Sequence, residues 1–327
     1  MLNVFLTIDT EVYPLTPNWR EMRLRADVDR DIYGVTQDGE FGLRYQLDVL
    51  RKHNLKAVFF VEPLFASAPE VGMDPLREIV RLIVHGGHDV QLHPHPEWLP
   101  HIPDMKMKGG VINSYSPDVQ KAIIERGLTN LRYALAEVGA QDRVSACAFR
   151  AGDFAADSVT LRAVADCGLK YDSSYSVDHG RLGNGKLLVQ PEMIGDVCEA
   201  PVSFFEDWPG HFRPAQLAAA SYAELVRALN RADEAGWSAF VIVSHSFELL
   251  KNRRASDRPL GLRRFVRSRF EKLCAFLDRN RRRFQTATFS QLASPQEIIS
   301  RASRPISGNV LATAMRFGEQ LADRLTG

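Results

Sequence analysis

Apolar residues fall along the chain in two alternating rhythms. Short strand-like runs stand at 2–8, 57–61, 88–92, 144–149 and 239–243; the first reads Leu-Asn-Val-Phe-Leu-Thr-Ile and the last Ala-Phe-Val-Ile-Val. Runs this short, apolar throughout, predict strands covered on both faces. Between them the spacing changes to that of a helix. Leu43, Leu47 and Leu50 lie on one side of a turn, as do Leu76, Ile79, Val80, Ile83 and Val84, and longer helical patterns cover 117–138, 158–167 and 221–235. Each predicts a helix with a single apolar face. An extended piece around Lys170-Tyr171-Asp172, short β pieces within 186–206 and a last strand at 284–288 complete the series. The stretch 13–38 is polar, carries Pro14, Pro17 and Gly34, and predicts a long loop. Repeated strand–helix alternation implies an α/β fold whose parallel sheet is covered on both sides, as an open sheet or a closed barrel.

Length and composition narrow this little. A chain of 327 residues suits one α/β barrel, here 1–295, followed by a helical tail over 296–327. Lys plus Arg number 41 and Asp plus Glu 40, a balance that gives no reason to expect nucleic acid or a strongly acidic substrate. The four cysteines, Cys147, Cys167, Cys198 and Cys274, form no C-x-x-C pair and read as thiols in a reducing compartment. The first residues have no basic leader and their apolar run is cut by Asp9, and no later stretch reaches about 18 apolar residues, so a cytoplasmic location is expected.

Charge is unevenly spread. From Lys251 to Arg283 there are 13 Lys or Arg against Asp257, Glu271 and Asp278, a local net of +10 that leaves −9 for the rest. An amphipathic helix over about 262–280, with Leu262, Phe265, Val266, Phe270, Leu273, Phe276 and Leu277 inward, accounts for it as a solvated face. The alternative is peripheral contact with an anionic membrane or a lipid-linked carrier through 251–283. The tail has its own apolar stripe of Val310, Leu311, Met315, Phe317 and Leu321, suited to packing on the barrel or on a second subunit.

The polar residues with chemical potential come just after strands, where α/β folds bind their ligands. Asp9 and Glu11 follow the first strand, and residues two apart in an extended chain share a side, so both carboxylates can face one pocket. Glu11 alone would pass for a solvated loop residue. His93-Pro94-His95 follows the third strand; its imidazoles share a side and its prolines stiffen the chain. Two histidines and a carboxylate leave a zinc site with an open position for water. Arg150 and Asp153 follow the strand ending at Phe149, and an Arg leaving a core strand usually meets a carboxylate. His245 follows the last buried run, where it either closes the strand or gives a proton to a leaving group.

Together these motifs resemble those of the polysaccharide deacetylase superfamily, also called the NodB-homology or carbohydrate esterase family four. Thr7-Ile8-Asp9-Thr10-Glu11 stands where the family has Thr-Phe-Asp-Asp, His93-Pro94-His95 where it has His-Ser/Thr-x-x-His, Phe149-Arg150-Ala151-Gly152-Asp153 at its Arg motif, and Ile242-Val243-Ser244-His245 at its Leu-x-x-His. Tyr171-Asp172-Ser173-Ser174 is similar to a strand that follows the Arg motif. The resemblance implies a distorted (β/α) barrel of about seven parallel strands. It also implies hydrolysis of the acyl group of an amino sugar in a glycan or lipopolysaccharide precursor, by deacetylation or deformylation. Asp9 would be the base, Arg150 its holder and His245 the acid. Glu11, His93 and His95 would bind a divalent metal, zinc first, with cobalt, nickel, manganese or iron as alternatives. Asp153, Asp172, Trp98 and Trp208 would line the sugar site. Because position 10 is Thr and the second His comes two residues after the first, Glu97 and His101 stand as substitutes for His95. A metal-independent amidase and an inactive carbohydrate-binding protein are the competing readings.

Overall fold

The longest strand, β1 (Leu2–Thr10), lies at the middle of the sheet. The other strands in chain order are β2 (Val58–Val61), β3 (Asp89–Leu92), β4 (Ala148–Phe149), β5 (Tyr171–Asp172), β6 (Glu192–Ile194), β7 (Val197–Glu199), β8 (Phe204–Trp208), β9 (His211–Pro214), β10 (Ala239–His245), β11 (Phe284–Thr286) and β12 (Ile306–Ser307). The main helices are α1 (Leu43–Lys52), α2 (Asp74–His85), α3 (Pro117–Glu137), α4 (Ser158–Asp166), α5 (Tyr222–Glu234) and α6 (Arg264–Arg279). This computed structural model describes residues 1–179, 182, 185–254, 259–300, 302, 304–308, 313 and 316–319.

The main sheet runs β10-β1-β2-β3-β4-β5-β7-β6. Its first seven strands are mutually parallel, and β6 turns back antiparallel to β7. β11 pairs with the start of β1, beside β2. The curled sheet is a distorted (β/α) barrel, as expected. Among the described residues no regular strand fills the seam beyond β10. Irregular segments do so instead: Ser203 N donates to Val241 O (3.0 Å), Val243 N to Ala215 O (3.0 Å) and Leu217 N to Val243 O (2.9 Å).

Side chains alternate across each strand. Phe5, Val58, Phe60, Ala148, Tyr171, Cys198, Ala239 and Val241 fill the barrel, with Phe289 and Ile298 packed among them. The opposite faces of the strands meet the helices in one larger core. The inward phase, followed past the strand ends, reaches Asp9, His93, Arg150 and His245. The predicted strand over 144–149 shrinks to Ala148–Phe149, since Gln91 Oε1 caps the N–H of Cys147 and Ala148 in place of a ladder. The 13–38 loop contains a helical turn at Arg25–Val28 and another at Asp29–Tyr33.

The basic segment divides its charge between the two ends of the barrel. Arg263 N bonds Leu249 O (2.7 Å) at the end where β10 finishes, so α6 begins there and runs back along the barrel. At its far end Arg281 binds the carbonyls of His53 and Asn54 just past α1, and Arg283 binds Asp233 and Asn230 in the last turn of α5. Arg281 thus caps the C-terminus of α1, where carbonyls lack partners, whereas Arg283 binds side-chain oxygens of α5. Asp257 lies outside the described residues. So do Val310, Leu311, Met315 and Leu321 of the predicted tail stripe, while Phe317 is exposed. The tail is nevertheless tied to the barrel. β12 pairs with β8, and the buried Arg316 guanidinium meets Asp207 Oδ2 at 2.9 Å and Glu224 Oε1 at 3.3 Å. The four cysteines are free.

Candidate metal and catalytic site

The ends of β1 and β3 bring Glu11, His93 and His95 into one buried group whose ligand atoms all lie within 4.8 Å of one another. Glu11 Oε2 is 3.1 Å from His93 Nε2 and 2.5 Å from His95 Nε2, and the two Nε2 atoms are 3.1 Å apart. Tautomer decides what these contacts mean. His93 Nδ1 lies 2.9 Å from the carbonyl of Arg150, which only accepts, so Nδ1 carries the ring proton and Nε2 of the neutral ring presents a lone pair. His95 Nδ1 faces the Glu97 carboxylate at 3.3 Å, which orients that ring the same way. Two lone pairs and a carboxylate oxygen aimed at one point repel unless a positive charge sits among them. The donor set fits a divalent cation. In the cation-free protein a proton takes that place. Burial would raise the Glu11 carboxyl and lower the His95 imidazole, but each other's charge outweighs it. Glu11 is held well below the usual carboxylate range and His95 well above the usual imidazole range.

Beside this group Arg150 NH1 donates to Asp9 Oδ1 at 2.6 Å. The guanidinium is fully buried and fixed from every side: it also donates to Thr7 Oγ1 and to the carbonyl and Oγ of Ser173, and it stacks on Phe60. The second oxygen, Asp9 Oδ2, is 4.0 Å from His93 Nε2 and so lies on the cation side. Loss of Arg150 would leave a buried unpaired charge, a cost of about 3–5 kcal/mol.

His245 is the register partner of Asp9 on the neighbouring strand, and parallel partners share a face. Its Nδ1 lies 2.6 Å from Glu248 Oε2, in the turn that follows β10. Burial pulls the imidazole down, but the Glu248 carboxylate, helped by Glu11 and Asp9, pushes it up to about 9. The ring stacks on Phe247 (centroids 5.0 Å apart), and Arg253 lies over Phe247 in turn at 3.4 Å.

Four residues that the sequence did not single out belong to this arrangement. Glu248 orients His245. Tyr13 Oη is 2.8 Å from His95 Nδ1. Burial, with the charges of Glu11 and Glu97, pushes its phenol far above the usual range. Glu62, just past β2, accepts from the N–H of Leu64, Phe65 and His95, which fixes the turn carrying the histidines; burial pushes its carboxyl up to about 7. Gly152 lies flat against the His95 ring, where a Cβ would come 2.8 Å from Nδ1. Of these, Glu248 left a readable signal three residues after His245, and Gly152 stood within the Arg motif.

The remaining predicted residues fall elsewhere. Glu97 faces the Nδ1 side of His95, so it is a partner of that ring and not part of the three-residue group. His101 bonds Arg20 away from the group (3.0 Å). Asp153 is exposed, in a left-handed conformation (φ 55°), and its charge reaches Tyr13. Three residues expected to line the sugar site are placed as follows. Trp98 is buried in the core, its indole N–H donating to Val12 O and its rings edged by Trp19 and Phe65, because the turn after His95 folds it back inward. Asp172 points out of the barrel: Tyr171 takes the inward position, and Asp172 pairs in register with Glu199 under the helices. Trp208 ends β8 at the tip of the β8–β9 hairpin, 59% exposed, whereas the hairpin's base, Ser203 and Ala215, is what bonds β10.

No family model matches the chain, and no curated protein matches it either. Solved structures do. A protein of Mycobacterium smegmatis described as a candidate polysaccharide deacetylase is similar over 94% of this chain and 93% of its own, with a TM-score of 0.57 at 19% identity. A 4-alpha-glucanotransferase of Thermococcus litoralis is similar over 99% of this chain and 46% of its own, with a TM-score of 0.53 at 11% identity. The chain therefore has the fold found among polysaccharide deacetylases, the one its motifs resemble. That fold also carries a glucanotransferase, so the site and not the fold decides the chemistry.

Proposed function

We propose that the chain is a metal-dependent hydrolase that removes the acetyl or formyl group from the nitrogen of an amino sugar in a glycan or lipopolysaccharide precursor. The observation that carries this reading is the meeting of Glu11 Oε2, His93 Nε2 and His95 Nε2 beside an aspartate whose other oxygen is locked by arginine. Glu11, His93 and His95 would hold the cation, zinc first among cobalt, nickel, manganese and iron. A bound divalent cation supplies Lewis-acid chemistry, polarising an acyl carbonyl and making water more acidic. Asp9 Oδ1 stays on Arg150 while Oδ2 takes the proton of the attacking water. Arg150 keeps its proton throughout, so the base never loses its counter-charge. His245 delivers the proton that the departing amine requires, and Glu248 keeps that proton on the ring until the carbon–nitrogen bond opens. Glycosyl transfer is favoured less. It needs two carboxyl groups free to act across a glycosidic bond, and here one is bound by Arg150 and the other by two imidazoles.

Zinc-loaded protein incubated with N-acetylglucosamine oligomers and with an N-formyl amino sugar should release acetate or formate, detected by mass spectrometry, and a chelator should stop it. His93→Ala should lose the metal and most activity. His245→Ala should keep the metal yet turn over about 100 to 10,000 times more slowly. Metal retained in full by His93→Ala, or lost from His245→Ala, overturns the assignment.

A further inference from the structure

We propose that Arg253 reads a phosphate group carried by the amino-sugar substrate, and so selects sugars linked through phosphate over neutral glycans. The proposal rests on the hydrolase reading and names its substrate class. Arg253 belongs to a short hairpin just past β10, in which Leu250 and Lys251 pair with Leu262 and Gly261. The described residues of this segment, 250–254 and 259–264, hold Lys251, Arg253, Arg254, Arg263 and Arg264 and no acid. Asn252 donates across the hairpin to Pro259 O (3.1 Å), and Arg263 N to Leu249 O (2.7 Å) ties its base to the end of the barrel that carries the site.

Three contacts fix where the guanidinium stands. It lies 3.4 Å over the Phe247 ring, which stacks on His245. It lies 6.0 Å from the ring of Tyr13, whose hydroxyl touches His95. Its NH1 is 3.3 Å from Asp31 Oδ1, and the Asp31 carbonyl accepts from Ser246 Oγ, while Ser246 N–H donates to Asp9 O. Arg253 is thus bracketed by the neighbours of His245, of His95 and of Asp9, at the mouth of the site. In the hydrolase reading the substrate nitrogen meets His245, so a group on the adjoining carbon of the sugar comes within reach of a guanidinium one aromatic ring further out.

Asp31 does not account for this charge. Arg30 already grips it in bidentate fashion, Nε on Oδ1 at 2.8 Å and NH2 on Oδ2 at 2.6 Å, and Tyr13 N–H adds a third bond. Its neighbour Asp27 is answered by Arg30 and by the N–H groups of Leu15 and Thr16. The Arg253 contact is the long one. The guanidinium is only 14% exposed, so most of its water is gone without a close anion in return. Stacked on a ring, it keeps its N–H groups in its own plane, a fork that matches two oxygens of a phosphate. Its surroundings add to the attraction: the Arg263 charge reaches Glu248, and Arg254 and Arg264 are exposed on the same segment. A neutral glycan gains nothing from such a field, and a phosphate offers it more acceptor oxygens than a carboxylate does.

The test compares N-acetylglucosamine with N-acetylglucosamine 1-phosphate as substrates of the zinc-loaded full chain. Here kcat/KM should favour the phosphorylated sugar by about 10- to 100-fold, through KM, the effect of hydrogen bonds to a charged group. Arg253→Gln should abolish that preference while keeping the bound zinc. Arg253→Lys should retain part of it, since the charge stays and the fork is lost. Equal kcat/KM for the two sugars in the wild type, or a preference that survives Arg253→Gln, overturns the proposal. So does a stronger preference for N-acetylglucosaminuronic acid, which would make a carboxylate the group that is read. UDP-N-acetylglucosamine and a prenyl-diphosphate-linked N-acetylglucosamine in detergent separate the two sources of such a phosphate. Preference for either one, lost in Arg253→Gln, upholds the proposal and identifies the carrier as nucleotide or lipid. Calorimetric binding of N-acetylglucosamine 1-phosphate that Arg253→Gln weakens, in a protein whose wild type hydrolyses none of these sugars, upholds the phosphate site and overturns the hydrolase reading instead.

Discussion

Two pairs of buried carboxyl groups stand in the same barrel, one at the end of β1 and one across β5 and β7, on opposite faces of the sheet. On the inner face, Asp9 and Glu11 stand against the Arg150 guanidinium and the imidazoles of His93 and His95. On the outer face, Asp172 and Glu199 stand against each other, register partners on β5 and β7 that are both fully buried. Depth is the same, yet the chemistry diverges. Burial raises Asp172, and burial with the Asp172 charge raises Glu199 well above the usual carboxylate range, so the outer pair shares a proton. Glu11, as deeply buried, is held low by the imidazoles opposite. A buried carboxyl group becomes a ligand only when something cationic faces it. Otherwise it takes up a proton and serves as packing.

The comparison can be broken at three points. The largest effect is expected from Gly152→Ala. The added Cβ would come 2.8 Å from Nδ1 and 2.9 Å from Cε1 of His95, so the ring must move. Zinc affinity, measured against a competing chelator, should fall about 10- to 100-fold while the fold is kept; unchanged affinity would show that this contact does not set the ring. Next is Glu248→Gln. In the cation-free protein the His245 ring should titrate near 9 by NMR, and the variant should bring it down because burial then acts with less opposition. The folded value lies above the unfolded one, so this pair stabilises fully below the ordinary histidine pKa and less as pH rises through about 9. The variant should flatten that loss, and a ring still titrating near 9 would remove Glu248 as its cause. The smallest effect belongs to Glu199→Gln, whose amide N–H replaces the shared proton. Stability near pH 7 should change by about 1 kcal/mol or less. Its raised folded pKa means stability that wanes at higher pH, and the variant should be spared that loss. Hydrolysis should be untouched; a large fall would show that the two faces are not separate.

Much of this was legible in the chain. Strand and helix spans follow from the apolar rhythm, because a parallel sheet covered on both faces leaves continuous runs such as Ala239–Val243. Asp9, Glu11, His93, His95, Arg150 and His245 were readable as residues that end such runs, and the structure brings them together. What failed was phase and direction. β5 is two residues long, too short to show which of Tyr171 and Asp172 faces inward. Trp98 sits near the ligands in sequence, but a tight turn reverses the chain beneath them. Glu62 meets His95 across 33 residues from a strand end with no motif around it, and Tyr13, two residues past the first motif, meets it across 82, a contact that nothing in the spacing announces.

Arg316 has a consequence for how the molecule is made. Its guanidinium enters a buried recess between Asp207, at the end of the β8–β9 hairpin, and Glu224, in the first turn of α5. Both acids are synthesised about a hundred residues earlier, with Arg213 and Ser221 as their nearer partners. On the ribosome, domains fold from the N-terminus as they emerge. The hairpin and helix must therefore wait for an arginine made about a hundred residues later before this corner is complete, and a version of the chain cut after 300 will carry an unfinished corner however long it is given to fold.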